Sequence, residues 1–306
     1  MLNRRILRIK AFKTVYALVE DPALSREEAL SQLEESCQAT RDLYLFMLAL
    51  IPALTDAASA RIEAARAKFH PTPEELNPNL KFVQNRIAVL LAEDPDFSKL
   101  ISKKKLSWEA EDAFLWHFYD ALKASDAYKV YMDEPSSSLE EDAKLWKSVF
   151  ETLLEDNEEL ADIIYEKSAW WNDELGYALL SCCRTLEELG SGKPWTLPEL
   201  YLSQMDGKTE SDRDFVRGIV IRAVADYPEA MERISALTPK WDIGRICATD
   251  LALIMTGMAE KAAFPDLDSK IIINEYVEIS KFFSTPESKS FVNGLLDKLI
   301  GSGAAC

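Results

Sequence analysis

Apolar residues in this chain recur at steps of three and four, as in Ile9, Phe12, Tyr16 and Val19, far more often than at steps of two. That period lays an apolar stripe along one face of a helix. Runs of β-branched residues bounded by turn residues, which a sheet would need, are nearly absent. Ten glycines among 306 residues, about half the usual ~7%, leave few tight turns and few loops able to cradle phosphate, which disfavours Rossmann and P-loop enzymes. The expected fold class is all-α. Helices are expected over about 3–20, 25–35, 39–69, 80–92, 108–124, 138–154, 156–188, 210–226, 229–237, 243–263, 270–284 and 286–300. The joints fall at His70-Pro71-Thr72-Pro73 through Pro78, Glu134-Pro135-Ser136-Ser137-Ser138, Gly190-Ser191-Gly192-Lys193-Pro194 and Phe264-Pro265-Asp266, which carry helix-stopping residues.

A net charge of −17 repels nucleic acid and anionic membranes at long range, so any contact with RNA must be local. The five cysteines (Cys37, Cys182, Cys183, Cys247 and Cys306) are odd in number and include no C-x-x-C, the pattern of reduced thiols in a cytosolic protein. The start Met-Leu-Asn-Arg-Arg leads into a stretch broken by Lys10 and Lys13, unlike a secretory signal. The weakly polar runs Leu43 to Leu54 and Leu251 to Ala259 fall short of the ~20 residues that span a bilayer. A cytoplasmic protein with no membrane association is expected.

The first helix runs against this acidity. Arg4, Arg5, Arg8, Lys10 and Lys13 precede the first acid, Glu20. Basic residues in the first turns oppose the helix dipole, at ~0.3–1 kcal/mol each, so something other than helix stability is expected to want those charges. Arg4 and Arg8 share a face, while the apolar stripe docks the helix. A solubilising basic terminus is the plainer reading. In the last third, Leu251 to Met258 is apolar nearly all round, the mark of a helix at the centre of a bundle, with Trp241 and Arg245 at its entrance and Asp250 on its flank, expected to be satisfied by an ion pair. Glu278 and Lys281 are spaced to pair. Thr285 and Pro286 read as the start of the last helix, where Ser288, Lys289 and backbone N–H groups suit a phosphate and Glu287 opposes one.

No catalytic constellation stands out. His70 and His117 lack a Glu three residues earlier, as a di-iron motif would need. Cys182-Cys183, in an apolar helical run, reads as core rather than nucleophile. No enzyme activity, cofactor or metal is expected.

The stretch from Asp212 to Asp297 resembles the carboxy-terminal part of the NusB family. The resemblance rests on Trp241-Asp-Ile-Gly-Arg245-Ile, Asp250-Leu-Ala-Leu-Ile-Met, Ile273-Asn-Glu-Tyr-Val-Glu-Ile-Ser-Lys281-Phe-Phe and Ser290-Phe-Val-Asn-Gly-Leu-Leu-Asp297. The opening Arg4-Arg5-Ile-Leu-Arg8, with Ala11 and Val15-Tyr16-Ala17, is similar to that family's arginine-rich first helix. The enlarged middle resembles the long NusB-type proteins of Bacteroidetes-like bacteria. This implies a three-part organisation: an arginine-rich helix region over 1–40, an enlarged helical middle over 41–209 and a NusB-like subdomain over 210–306.

The resemblance further implies a non-catalytic transcription antitermination factor that binds boxA-type single-stranded RNA together with NusE, a small-subunit ribosomal protein, within an RNA polymerase antitermination complex. Carried over by motif, the RNA-facing residues would be Arg4, Arg5, Arg8, Tyr16, Lys281, Phe283, Glu287 and Phe291, with the two phenylalanines as stacking platforms. On residue type alone, each aromatic reads as core before it reads as platform. Two other readings are a helical protein–protein adaptor with little RNA binding, and an RNA-modifying enzyme, for which the chain lacks a Gly-rich cofactor domain. The RNA reading requires the arginine helix to present its charges, not to have them sealed by carboxylates.

Overall fold

A computed structural model describes residues 1–135, 137–203, 211–239 and 245–301; Trp241 and Cys306 lie outside the described residues. Among the described residues the regular structure is helical, without strands. The chain divides into two compact units, one of Met1–Gln38 and Glu199–Cys306, the other of Ala39–Pro198.

The first unit is built around α13 (Ala248–Ala263), every residue of which from Asp250 to Glu260 is buried. Against it pack α1 (Arg4–Glu20), α11 (Asp212–Ala225), α14 (Ser269–Phe283) and α15 (Ser288–Ile300), with α12 (Tyr227–Leu237) beside α15. A helix apolar on all sides has no solvent face to offer, which is why it takes the centre. Gly257 is where α15 comes closest: a Cβ there would lie 2.8 Å from the Leu296 side chain and 3.3 Å from Tyr276. Asn3 caps α1 by accepting the Ile6 N–H, and the Leu2 N–H donates to the Leu200 carbonyl.

The expected pair of helices over 25–35 and 39–69 is one helix, α2 (Arg26–Arg66). Ser36-Cys37-Gln38 contains no residue that stops a helix, so the ladder continues through it. By length and composition α2 could cross a membrane, but 67% of the qualifying window is buried within the protein, as in a core helix.

The second unit takes the remainder of α2 and the helices α3 (Pro73–Leu76), α4 (Arg86–Glu93), α5 (Pro95–Lys104), α6 (Asp112–Ala124), α7 (Asp126–Asp133), α8 (Leu139–Thr152), α9 (Glu158–Lys167) and α10 (Leu175–Gly190). The single helix expected over 156–188 is broken: Ser168 ends α9 and caps a short 3₁₀ turn, Ala169–Trp171, before α10 begins. Its core is aromatic. Trp108 stacks on Phe46 with ring centres 4.1 Å apart and donates its indole N–H to the Phe46 carbonyl, while Trp146 donates to Asn85. Cys182 and Cys183 are buried, and burial raises both thiols, Cys183 to about 11.

Candidate nucleic-acid interface

The arginines of α1 are sealed by carboxylates. Arg4 donates from Nε to Asp212 at 2.7 Å, and its guanidinium lies 3.9 Å from the centre of the Phe215 ring. Arg5 makes a two-pronged pair with Glu275 at 2.9 and 3.1 Å. Arg8 is buried and grips Glu260 through Nε and Nη2, the shortest contact being 2.6 Å; Glu260 also accepts from the Tyr276 hydroxyl at 2.8 Å. Lys10 is buried too, its ammonium donating to the Ser36 carbonyl at 2.7 Å.

This corrects the expectation that the first helix displays its charges. Burial works against the Arg8 cation, but the hydrogen bonds and charge of Glu260 outweigh it and the guanidinium is held above its ordinary value. Arg8 is a packing residue, not a phosphate contact, because its charge is already neutralised where neither water nor a strand reaches it. Arg4 is committed to Asp212 and Phe215, and only Arg5 keeps half of its side chain in solvent. The partners of these cations are the acids of α11, α13 and α14, and they account for basic residues where the helix dipole disfavours them.

The remaining residues divide. Phe283 is half-buried, 5.4 Å from the Phe12 ring, with the Lys13 ammonium 5.6 Å from its centre; it docks α14 against α1. Phe291 is half-buried. Tyr16, Lys281 and Glu287 are exposed. Lys281 pairs with Glu278, as its spacing predicts. Hydrogen bonding by Lys281, and then the charges of Lys281, Lys289 and Arg5, hold the Glu278 carboxyl below its ordinary value. Lys281 bonds Glu278 directly, while Lys289 of α15 and Arg5 of α1 act on it through their charge alone.

Sequence reasoning missed Phe282. It is 81% exposed, next to Lys281. The signal was present: Ile272, Tyr276 and Ile279 are buried and step by four and three, which puts Phe283 next on the packed face and turns Phe282 outward.

The start of α15 also differs. Its first helical residue is Ser288, and Asp250 lies beneath it, accepting from Ser284 at 2.6 Å and Ser288 at 2.8 Å. Those serines, not Arg245, satisfy Asp250, and a carboxylate in this position opposes the phosphate site expected there. Among the described residues, no cluster of His, Cys, Asp and Glu is arranged to hold a metal.

The family model of the NusB family matches residues 191–301. The transcription antitermination protein NusB of Geobacter sulfurreducens is 29% identical over 112 residues, 37% of this chain and 81% of that protein. The NusB of Salinibacter ruber is 34% identical over 90 residues, 29% of this chain and 56% of the relative. No solved structure matches the chain. The NusB of Ligilactobacillus salivarius is 34% identical over 119 residues, which cover 38% of this chain and 90% of the relative's own length. On that coverage, and on an α13–α15 core made of the motifs that carry the likeness, the chain belongs to the NusB family.

Proposed function

We propose that the protein is a non-catalytic, cytoplasmic transcription antitermination factor that binds boxA-type single-stranded RNA together with NusE, as part of an RNA polymerase antitermination complex and without a membrane role. With Arg4 and Arg8 sealed, the reading does not rest on the arginine helix; it is supported by the likeness to the NusB family over residues 191–301 and by the exposed Lys281 and Lys289, near the end of α14 and the start of α15, in a chain of net charge −17. Such a pair neutralises phosphates locally while the rest of the protein repels them. Tyr16 and Phe282 supply exposed rings on the same helices, α1 and α14, for unpaired bases. Arg4 and Arg8 serve this face indirectly by fixing α1 on α11 and α13. The NusB-like part comprises 1–38 and 199–301, with the region between them as an enlargement of the family's plan.

A filter-binding experiment with labelled boxA-type RNA and cognate NusE tests the proposal. The RNA is retained at moderate salt, and Lys281→Glu combined with Lys289→Glu abolishes retention without changing helix content by circular dichroism. The sealing of Arg4 and Arg8 favours a second reading, a helical protein–protein adaptor with little RNA binding. Failure of the unaltered protein to retain the RNA selects that reading, and retention that ignores the two lysine reversals removes these lysines from the interface.

A further inference from the structure

The second unit holds an open groove of about 950 Å³ that the antitermination reading does not use. One wall is α2, presenting Ala49, Pro52, Ala53, Ala57 and Ala60; the other carries Phe97, Ile101, Leu115 and Trp116 from α5 and α6. Trp116 is 54% exposed. From Ala49 to Ala60 the α2 wall runs about 17 Å, at ~1.5 Å per residue. That is three turns of helix lined with side chains small enough for a second helix axis to approach within about 8–10 Å.

Charge narrows the occupant. Asp56, Glu109 and Asp112 line the groove, all three are exposed, and none has an ion-pair partner among the described residues. Nearby acids do have partners: Asp120 pairs with Arg61, and Glu111 with Lys167. Lys105 is the one cation in the lining. An apolar trough edged by three unpaired carboxylates against one ammonium attracts cations at its rim and apolar side chains at its floor.

We propose that this groove is a docking site for a basic amphipathic helix of a protein partner, whose apolar face lies along α2 between Ala49 and Ala60 and whose Lys or Arg side chains meet Asp56, Glu109 and Asp112. The partner helix packs against α2 as a further helix of the bundle would, in the groove mode of peptide recognition.

The test uses the full chain and a fluorescein-labelled Leu/Lys amphipathic peptide of about 15 residues, long enough for the trough, with a Leu/Glu peptide of the same pattern as counterpart. Fluorescence anisotropy shows the basic peptide bound and the acidic one not. Asp56→Lys with Asp112→Lys weakens binding about tenfold or more. Ala60→Trp, at an exposed position and so harmless to the core, does the same by filling the trough. Both variants keep the wild-type circular dichroism. Absence of binding by the basic peptide overturns the proposal. So does binding that Ala60→Trp leaves unchanged, since attraction to the acidic surface as a whole would then explain it. Self-association in sedimentation that Ala60→Trp abolishes would assign the groove to a second copy of this chain and overturn it equally.

Discussion

At the scale of single residues, the decisive pair is Arg8 with Glu260. Removing one member of a buried, hydrogen-bonded ion pair leaves the other charge uncompensated, at about 3–5 kcal/mol. Arg8→Ala is therefore expected to lower the urea unfolding free energy by that amount. Arg8→Met combined with Glu260→Leu should recover most of the loss. Glu275 supplies a pH signature. The Arg5 hydrogen bonds hold its carboxyl below the ordinary value of 4.5, against the opposing effect of burial. Because the unfolded chain takes up the proton first, the stabilisation is complete above about pH 4.5 and is lost as pH falls through the lower folded value. Urea midpoints measured against pH should fall more steeply below that point for the wild type than for Glu275→Gln. Phe282→Ala should leave stability within about 0.5 kcal/mol and weaken RNA binding by about 1–3 kcal/mol, the worth of one stacked base. What the sequence showed here was residue type and local spacing: Lys281 with Glu278 three positions away could be read directly. The fate of the arginines could not, since Asp212, Glu260 and Glu275 lie 208, 252 and 270 positions from their partners, and only tertiary packing brings them together.

At the scale of elements, period found the long helices but missed the short α3, α5 and α7, for which no helix was expected, and was a poor guide to where helices end. The centrality of α13 was legible in its unbroken apolar run, and the turned-out position of Phe282 in the steps of α14. The fusion of two expected helices into α2 and the breaking of another at Ser168 were not, because both depend on whether a polar residue caps or continues a helix, and its neighbours decide that. The α13–α15 contact carries its own test. A methyl group at position 257 would press on Leu296 at 2.8 Å, so Gly257→Ala is expected to cost about 1–3 kcal/mol through overpacking. In an exposed stretch of helix the same change would stabilise. Thermal unfolding followed by circular dichroism distinguishes the two signs.

For the molecule as a whole, the acidic excess and the small basic face set opposing terms. Engagement of Lys281 and Lys289 with two phosphates of a single strand predicts a log–log salt dependence of about −1.4, measurable by repeating the filter assay across a salt series. A slope near zero would mean that the basic face is not in contact. The division into two units places the family's motifs in one and the groove in the other, so the proposed RNA contact and the proposed docking site can be tested by separate substitutions. The buried arginine also bears on how genetics in living cells should be read. Against a total folding free energy of about 5–15 kcal/mol, loss of the Arg8 guanidinium moves a large share of the chains into the pool that proteases clear. Alleles at that codon will score as defects in gene expression control while their true lesion is too little protein, and immunoblots, not binding assays, will reveal it.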